Sequence, residues 1–179
     1  YTVENLMNNI SMVFQDVYLF EDTIENNIKF GNQNATREDV IDAAKKAQCH
    51  DFIVSLPQGY DTIVGEGGAS LSGGEKQRIS IARAMLKDAP IIIFDEATAN
   101  IDPENEDKLK LAIESLTKNK TVIMIAHRLK TIRNANQILV LNKGCIEQRG
   151  THDELMRQGG TYKDFVDAKS KSENWSLNN

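Results

Sequence analysis

Leu71-Ser-Gly-Gly-Glu-Lys-Gln-Arg-Ile-Ser-Ile-Ala-Arg-Ala-Met-Leu-Lys-Asp-Ala-Pro-Ile-Ile-Ile-Phe-Asp-Glu96 is the stretch on which the reading of this chain turns. Ser72 and Glu75 have the S-x-x-E spacing of a capping box, and Ile79, Ala82, Met85 and Leu86 recur on one face behind it. They predict a helix over 73–87. Pro90-Ile-Ile-Ile-Phe-Asp95 is then a continuous apolar run, which predicts a strand buried on both faces of a parallel sheet. Helix followed by buried strand is the grammar of an α/β fold.

Further along the chain, Asp102 caps and Pro103 opens a helix that runs to about Leu116, and Thr121–Ala126 is a second buried strand. Gln137–Leu141 and Cys145–Gln148 flank Asn142-Lys-Gly144 as a hairpin, and helices follow near Asp153–Arg157 and Tyr162–Ala168. Lys169–Asn179 is polar and reads as a disordered tail. In the other direction, a loop containing Gly65, Gly67 and Gly68 precedes Leu71, and Thr36-Arg-Glu-Asp39 is a capping box that starts a helix over 37–48. Ile10–Gln15 reads as a strand with a short helix over 21–27 behind it. The expected organisation is a partial domain over 1–168, with a helical part at 16–88 and a sheet core at 89–168.

With 179 residues the chain is one ordinary domain or a large part of one, at about 100 to 200 residues per domain. It has 21 basic against 26 acidic residues, a net charge of −5, which argues against nucleic acid as a partner. No apolar run approaches the roughly 20 residues needed to cross a bilayer. Cys49 and Cys145 form neither a CxxC pair nor a disulfide framework, which suits a reducing compartment and offers no metal site. The first residues show no leader pattern, and the chain opens on Tyr1 rather than Met, as a piece of a longer protein would.

Ligands of open α/β sheets sit at the carboxyl ends of strands, and two such ends here carry charge: Asp95-Glu96 and His127. A strand-end Asp is often only a turn former. A paired Asp-Glu can also hold Mg²⁺ and activate a water for attack on phosphate. Ser72-Gly-Gly-Glu75 is explained equally by capping and by anion binding, since two glycines leave backbone N–H groups bare at the positive end of a helix dipole. His127 can cap a helix or steady a γ-phosphate, and Gln15 says little alone.

Taken in order along the chain, these motifs resemble the nucleotide-binding domain of ABC transporters, over nearly the whole length to about residue 168. Leu71–Glu75 resembles the signature, Ile91–Glu96 the Walker B strand with its catalytic glutamate, and Ala99–Asp102 the D-loop. His127 falls at the switch histidine and Gln15 in the Q-loop. Thr62–Gly68 resembles the TxVGExG segment of exporter-type members, and Phe20–Ile28 and Gly150–Leu155 agree. The resemblance implies a P-loop NTPase-like ATPase domain, here the helical subdomain plus the carboxyl-terminal half of the parallel-sheet core. It implies ATP and Mg²⁺ as ligands, with Glu96 and His127 catalytic and Asp95 and Gln15 at the metal. Ser72, Gly73, Gly74, Glu75 and Asp102 would face the nucleotide of a second domain in a head-to-tail dimer. A transmembrane partner, touched by Asp16–Phe30, and a place at the cytoplasmic face of a membrane are further implications.

Two departures from the family pattern stand out. Glu75 replaces the usual Gln, putting a carboxylate beside a polyphosphate site. No G-x-x-x-x-G-K-[ST] occurs, and none of the 11 glycines is followed by Lys. The P-loop is expected upstream of Tyr1, so the chain alone is expected to be inactive. Two other readings are a non-catalytic piece that lends its signature to a partner, and a soluble ATPase of DNA repair or chromosome maintenance. The second is opposed by the short interval of 72 − 15 = 57 positions between Gln15 and Ser72, which carries no heptads.

Overall fold

The computed structural model describes residues 2–66, 69–95, 103–125 and 132–176, except the side chains of 103–105 and 171–176. Two units divide it, Tyr1–Ile125 and Ala126–Asn179. The first contains α1 (Val3–Asn8), β1 (Ile10–Val13), β2 (Asp22–Thr23), α2 (Ile24–Lys29), α3 (Arg37–Lys46), α4 (His50–Ser55) and β3 (Ile63–Val64). It continues through α5 (Gly73–Lys87), β4 (Ile91–Asp95), α6 (Pro103–Thr117) and β5 (Thr121–Ile125).

β1, β4 and β5 form a parallel sheet in that order. The register sets Val13 beside Phe94 and Phe94 beside Met124, so the carboxyl ends of the three strands share one edge. Side chains alternate across a strand. Val13, Ile92 and Phe94 accordingly point together into the core, at 0%, 0% and 1% exposure. Against them pack Ile79 and Ile81 of α5, Leu109, Ala112 and Leu116 of α6, Ile24 and Ile28 of α2, and Val40 and Ala44 of α3, in one cluster. α5 is therefore the axis of this unit: the helical subdomain is wrapped on one side of it and the sheet lies on another.

β5 separates pattern from cover. The run Thr121–Ala126 has the pattern of a doubly buried strand, but with the P-loop strand and its helix expected upstream of Tyr1 its apolar surface is expected to lie uncovered, and every residue of β5 is exposed, with Val122 at 38%, Ile123 at 50%, Met124 at 40% and Ile125 at 50%. The physical reason is that cover comes from the layers packed on a sheet and not from the strand's own apolarity. α5 and α6 bury their faces over β1 and β4, and β5 has a strand neighbour on one side only among the described residues. On the opposite face Met12 of β1 is likewise 44% exposed.

The sequence pattern also missed α1, which buries none of its residues. Its start is capped by Thr2, whose Oγ1 accepts from Asn5 N–H at 3.3 Å. Lys87 Nζ ties its end down by donating to the carbonyls of Met7 and Ile10 at 2.7 Å each. A distant side chain does what local periodicity does not announce.

The second unit is the antiparallel pair β6 (Ile138–Asn142) and β7 (Cys145–Gly150), followed by α7 (His152–Gln158) and α8 (Thr161–Ser176). Ile138, Leu155, Tyr162 and Val166 make its core. Gln148 fixes the helix junction: its Nε2 donates to Gly159 O at 2.8 Å and its Oε1 accepts from Tyr162 N–H at 2.9 Å. α8 continues to Ser176, through residues whose composition predicts disorder. Once Tyr162 and Val166 anchor the first turns, each added residue gains a helical hydrogen bond without a new nucleation cost.

Candidate functional site

α5 starts on Ser72, whose backbone is extended and whose Oγ accepts from Glu75 N–H at 3.3 Å, while Ser72 N–H donates to Glu75 Oε2 at 2.7 Å. The capping box is thus formed in full. The next position is what sets this helix start apart: Gly73 is exposed, and a Cβ placed there would meet nothing within 4 Å. Gly74 is buried. The positive end of this 15-residue helix dipole is therefore without side-chain cover at Gly73, while the Glu75 N–H is taken by Ser72 Oγ. Glu75 occupies part of that end with its own carboxylate.

At the sheet edge, Asp95 closes β4 and is partly exposed, one residue past Phe94; Gln15 is exposed, two residues past Val13 on the neighbouring strand. β1 stops at Val13 rather than at Gln15 as its sequence suggests, because the chain bends away after Phe14, so Gln15 lies two residues beyond the end of the strand that pairs with β4. Glu96, Asp102 and His127 lie outside the described residues, as do Gly67 and Gly68.

Gln77 of α5 is 5% exposed and donates from Nε2 to the Phe14 carbonyl at 3.3 Å, immediately before Gln15. Six positions on, Arg83 donates from Nε to Asn27 O at 2.8 Å, from one terminal nitrogen to Asn27 Oδ1 at 3.2 Å, and from the other to Tyr18 O at 3.4 Å. Its guanidinium lies over the rings of Phe20 and Phe30, 5.7 and 5.6 Å from their centroids. Burial lowers its pKa. Asn27, 1% exposed, holds the same loop from the other side: Oδ1 accepts from Phe20 N–H at 2.9 Å, and Nδ2 donates to the carbonyls of Phe20 and Thr23 at 3.0 Å each. Gly31 runs so close over α5 that a Cβ would sit 2.1 Å from Arg83 O, and no other residue fits that approach.

The loop so held presents Tyr18, 71% exposed, and Phe30, 57% exposed, at the surface. Beside it a shallow cleft of about 340 Å³ is lined by Val17, Tyr18, Glu66, Ser70 and Lys76 among others. Gly65, at φ +102°, packs against the backbone of Phe20 and Glu21 beside this same surface.

Gln77, Asn27 and Arg83 went unread in the sequence. For the α5 pair a signal exists: Gln77 precedes Ile81 and Arg83 follows Ile79 by four positions, so each polar group sits on a buried helical face. Asn27 carries no such signal.

A parallel sheet whose strand β4 ends in an acid, joined to a helix whose start opens on glycine, defines an α/β protein of the class in which ligands sit at strand ends. The ABC transporter family model matches residues 1–99, and the chain belongs to that family. It is 48% identical over 167 residues to the uncharacterized ABC transporter ATP-binding protein YknU of Bacillus subtilis (strain 168), covering 93% of this chain and 28% of that one. It is 52% identical over 158 residues to the ATP-dependent lipid A-core flippase of Syntrophus aciditrophicus (strain SB), covering 88% and 26%. The solved structure of a bacterial Atm1-family ABC exporter with ATP bound matches at a TM-score of 0.81 and 44% identity, over 93% of this chain and 29% of that one. The chain thus spans between a quarter and a third of the length of these relatives. Among the described residues no helix is long and apolar enough to cross a membrane.

Proposed function

We propose that this chain is part of the nucleotide-binding domain of an ABC exporter, and that the whole protein couples ATP hydrolysis to transport across a membrane. The observation that carries the proposal is the start of α5: a complete cap followed by an open Gly73, on the helix that also organises the sheet ending in Asp95. The naming of the relatives as transporters favours this reading over a soluble repair ATPase.

In this reading Ser72, Gly73 and Gly74 turn their hydroxyl and backbone N–H groups toward the ATP held by a second nucleotide-binding domain, with Asp102 lining the same interface. The Asp95 carboxylate, at the end of β4, and the Gln15 amide oxygen, two residues past the end of β1, are hard donors of the kind Mg²⁺ takes, so the residues present fit that ion. When bound it neutralises charge on the phosphates. Glu96, directly after Asp95, takes the proton of the attacking water, and His127 donates toward the γ-phosphate. The aromatic surface of Asp16–Phe30 meets a transmembrane partner, and the domain works at the cytoplasmic face. The test is Glu96→Gln in the whole transporter. It keeps the shape of the site and removes the base, so ATP binding persists while turnover falls by about 10² to 10⁴. Near-normal steady-state hydrolysis would remove Glu96 from that role.

A further inference from the structure

The segment that carries Gln15 is tied to α5 at both its ends. Gln77 holds the carbonyl of Phe14, one residue before Gln15, and Arg83 holds the carbonyl of Tyr18, three residues after it. Between the two anchored carbonyls lie only Gln15, Asp16 and Val17. Both donors are drawn from one helix, the one that begins at Ser72. The far anchor is the more elaborate. Arg83 grips Asn27 twice and stacks over Phe20 and Phe30, while Asn27 in turn holds the loop backbone at Phe20 and Thr23. Gly31 lets that loop pass against the α5 backbone at Arg83 itself.

Neither donor is placed to meet nucleotide. Gln77 is 5% exposed, and the Arg83 guanidinium is spent on two carbonyls, one amide oxygen and two rings. A buried amide and a half-buried guanidinium are costly to place in a helix when an apolar side chain would pack there. Their partners, moreover, are backbone carbonyls of a segment which would otherwise be an exposed loop. Capping or core packing would not call for two polar groups directed at the two ends of one short span.

We propose that Gln77 and Arg83 are positioning residues that strap the Gln15 segment to α5, so that the Gln15 amide and the helix start at Ser72 move as one body. The inference rests on the reading of the chain as a nucleotide-binding domain, since it assigns Gln15 a task there. A displacement of Gln15 by about 1 Å is enough to affect rate, because catalytic groups act only within narrow geometry.

The experiment uses the whole transporter, wild type and with Gln77→Met, Arg83→Gln and Arg83→Lys. Hydrogen exchange by mass spectrometry follows peptides covering 14–22, with α3 as an internal control, and ATP hydrolysis is resolved into kcat and KM. In Gln77→Met and Arg83→Gln, exchange over 14–22 accelerates while α3 keeps its protection, and kcat falls by about 10- to 100-fold with KM for ATP little changed. Arg83→Lys keeps the charge and one donor and recovers part of both effects. Unchanged exchange over 14–22 overturns the strap, and so does faster exchange with normal kcat. If a variant loses α3 protection as well, its effect is global unfolding, and Arg83→Lys then decides: protected α3 with normal kcat and normal 14–22 exchange overturns the proposal. Failure of the functional reading looks different, because wild-type protein would then hydrolyse no ATP while the exchange difference remained.

Discussion

α3 and α5 begin in the same way and end up with different work. Each is entered through a formed capping box, Thr36 with Asp39 and Ser72 with Glu75. At α3 the next residue is Arg37, which pairs with Glu25 and with Asp61 and lies 5.7 Å from the centroid of the Tyr60 ring. The Thr36 hydroxyl also lies 2.8 Å from Asp39 Oδ2, and hydrogen bonds to the Thr36 backbone and hydroxyl pull the Asp39 carboxyl below its ordinary pKa. At α5 the next residue is Gly73, with open space in place of a side chain. The two helices share their cap geometry and differ at the first helical residue. A helix start sealed by a paired arginine is a structural joint, whereas one left bare by glycine can receive an anion.

The strongest way to break this contrast is Ser72→Arg in the whole transporter, which sets a long side chain beside the open position at Gly73 and removes the cap hydroxyl. ATP-driven association of the nucleotide-binding domains should weaken by roughly 100-fold, about 2.8 kcal/mol, with ATP affinity of the single domain retained. Unchanged association, measured by sedimentation or cross-linking, would return Ser72 to a plain cap.

The carboxyl end of α3 adds a pH test. Cys49, fully buried, donates from Sγ to the Ala44 carbonyl of α3 at 3.4 Å, and desolvation pushes its thiol up from 9.0 to about 12. Unfolded chain gives up this proton near 9.0 and folded chain holds it to about 12, so in that window the unfolded state binds fewer protons. Stability therefore falls as pH rises through it, by roughly 1.4 kcal/mol per unit. Cys49→Ala should flatten the fall between about pH 9 and pH 11 in denaturant titrations, leaving the slope from Tyr60 and Tyr162, whose burial also raises their pKa. An identical slope in the variant would mean that the thiol does not titrate late.

Thr36→Ala is the structural counterpart of Ser72→Arg. It should cost about 1 kcal/mol in a melt and leave ATP turnover as it was. A loss of turnover at unchanged stability would give α3 a role that the sealed helix start does not suggest. Smallest of all, Glu75→Gln keeps an N3 acceptor for the Ser72 N–H and removes a negative charge from the open end. Stability should hold within about 0.5 kcal/mol, and ATP-driven association should tighten about threefold. A weaker association would mean that the carboxylate serves the site.

Much of this protein could be read along the chain because its signals are local. The Ser72 cap and the spacing of Ile79, Ala82 and Leu86 place α5 at 73–87, and the run after Pro90 places β4. The hairpin about Lys143-Gly144 and the motifs that name the family depend equally on neighbours in sequence. Such features arise from side-chain period, turn chemistry and caps, which need only a few consecutive residues.

The remainder depends on contacts between residues far apart. β5 has the composition of a buried strand and is exposed, since burial is set by which helices lie over which strands. α1 is tied down by Lys87, 80 positions from Met7. Gln77 reaches Phe14 across 63 positions, and Arg83 reaches Tyr18 across 65. No periodicity encodes such partners: a buried amide or half-buried guanidinium is tolerated only once folding has brought a carbonyl to it, and that carbonyl belongs to every residue type alike.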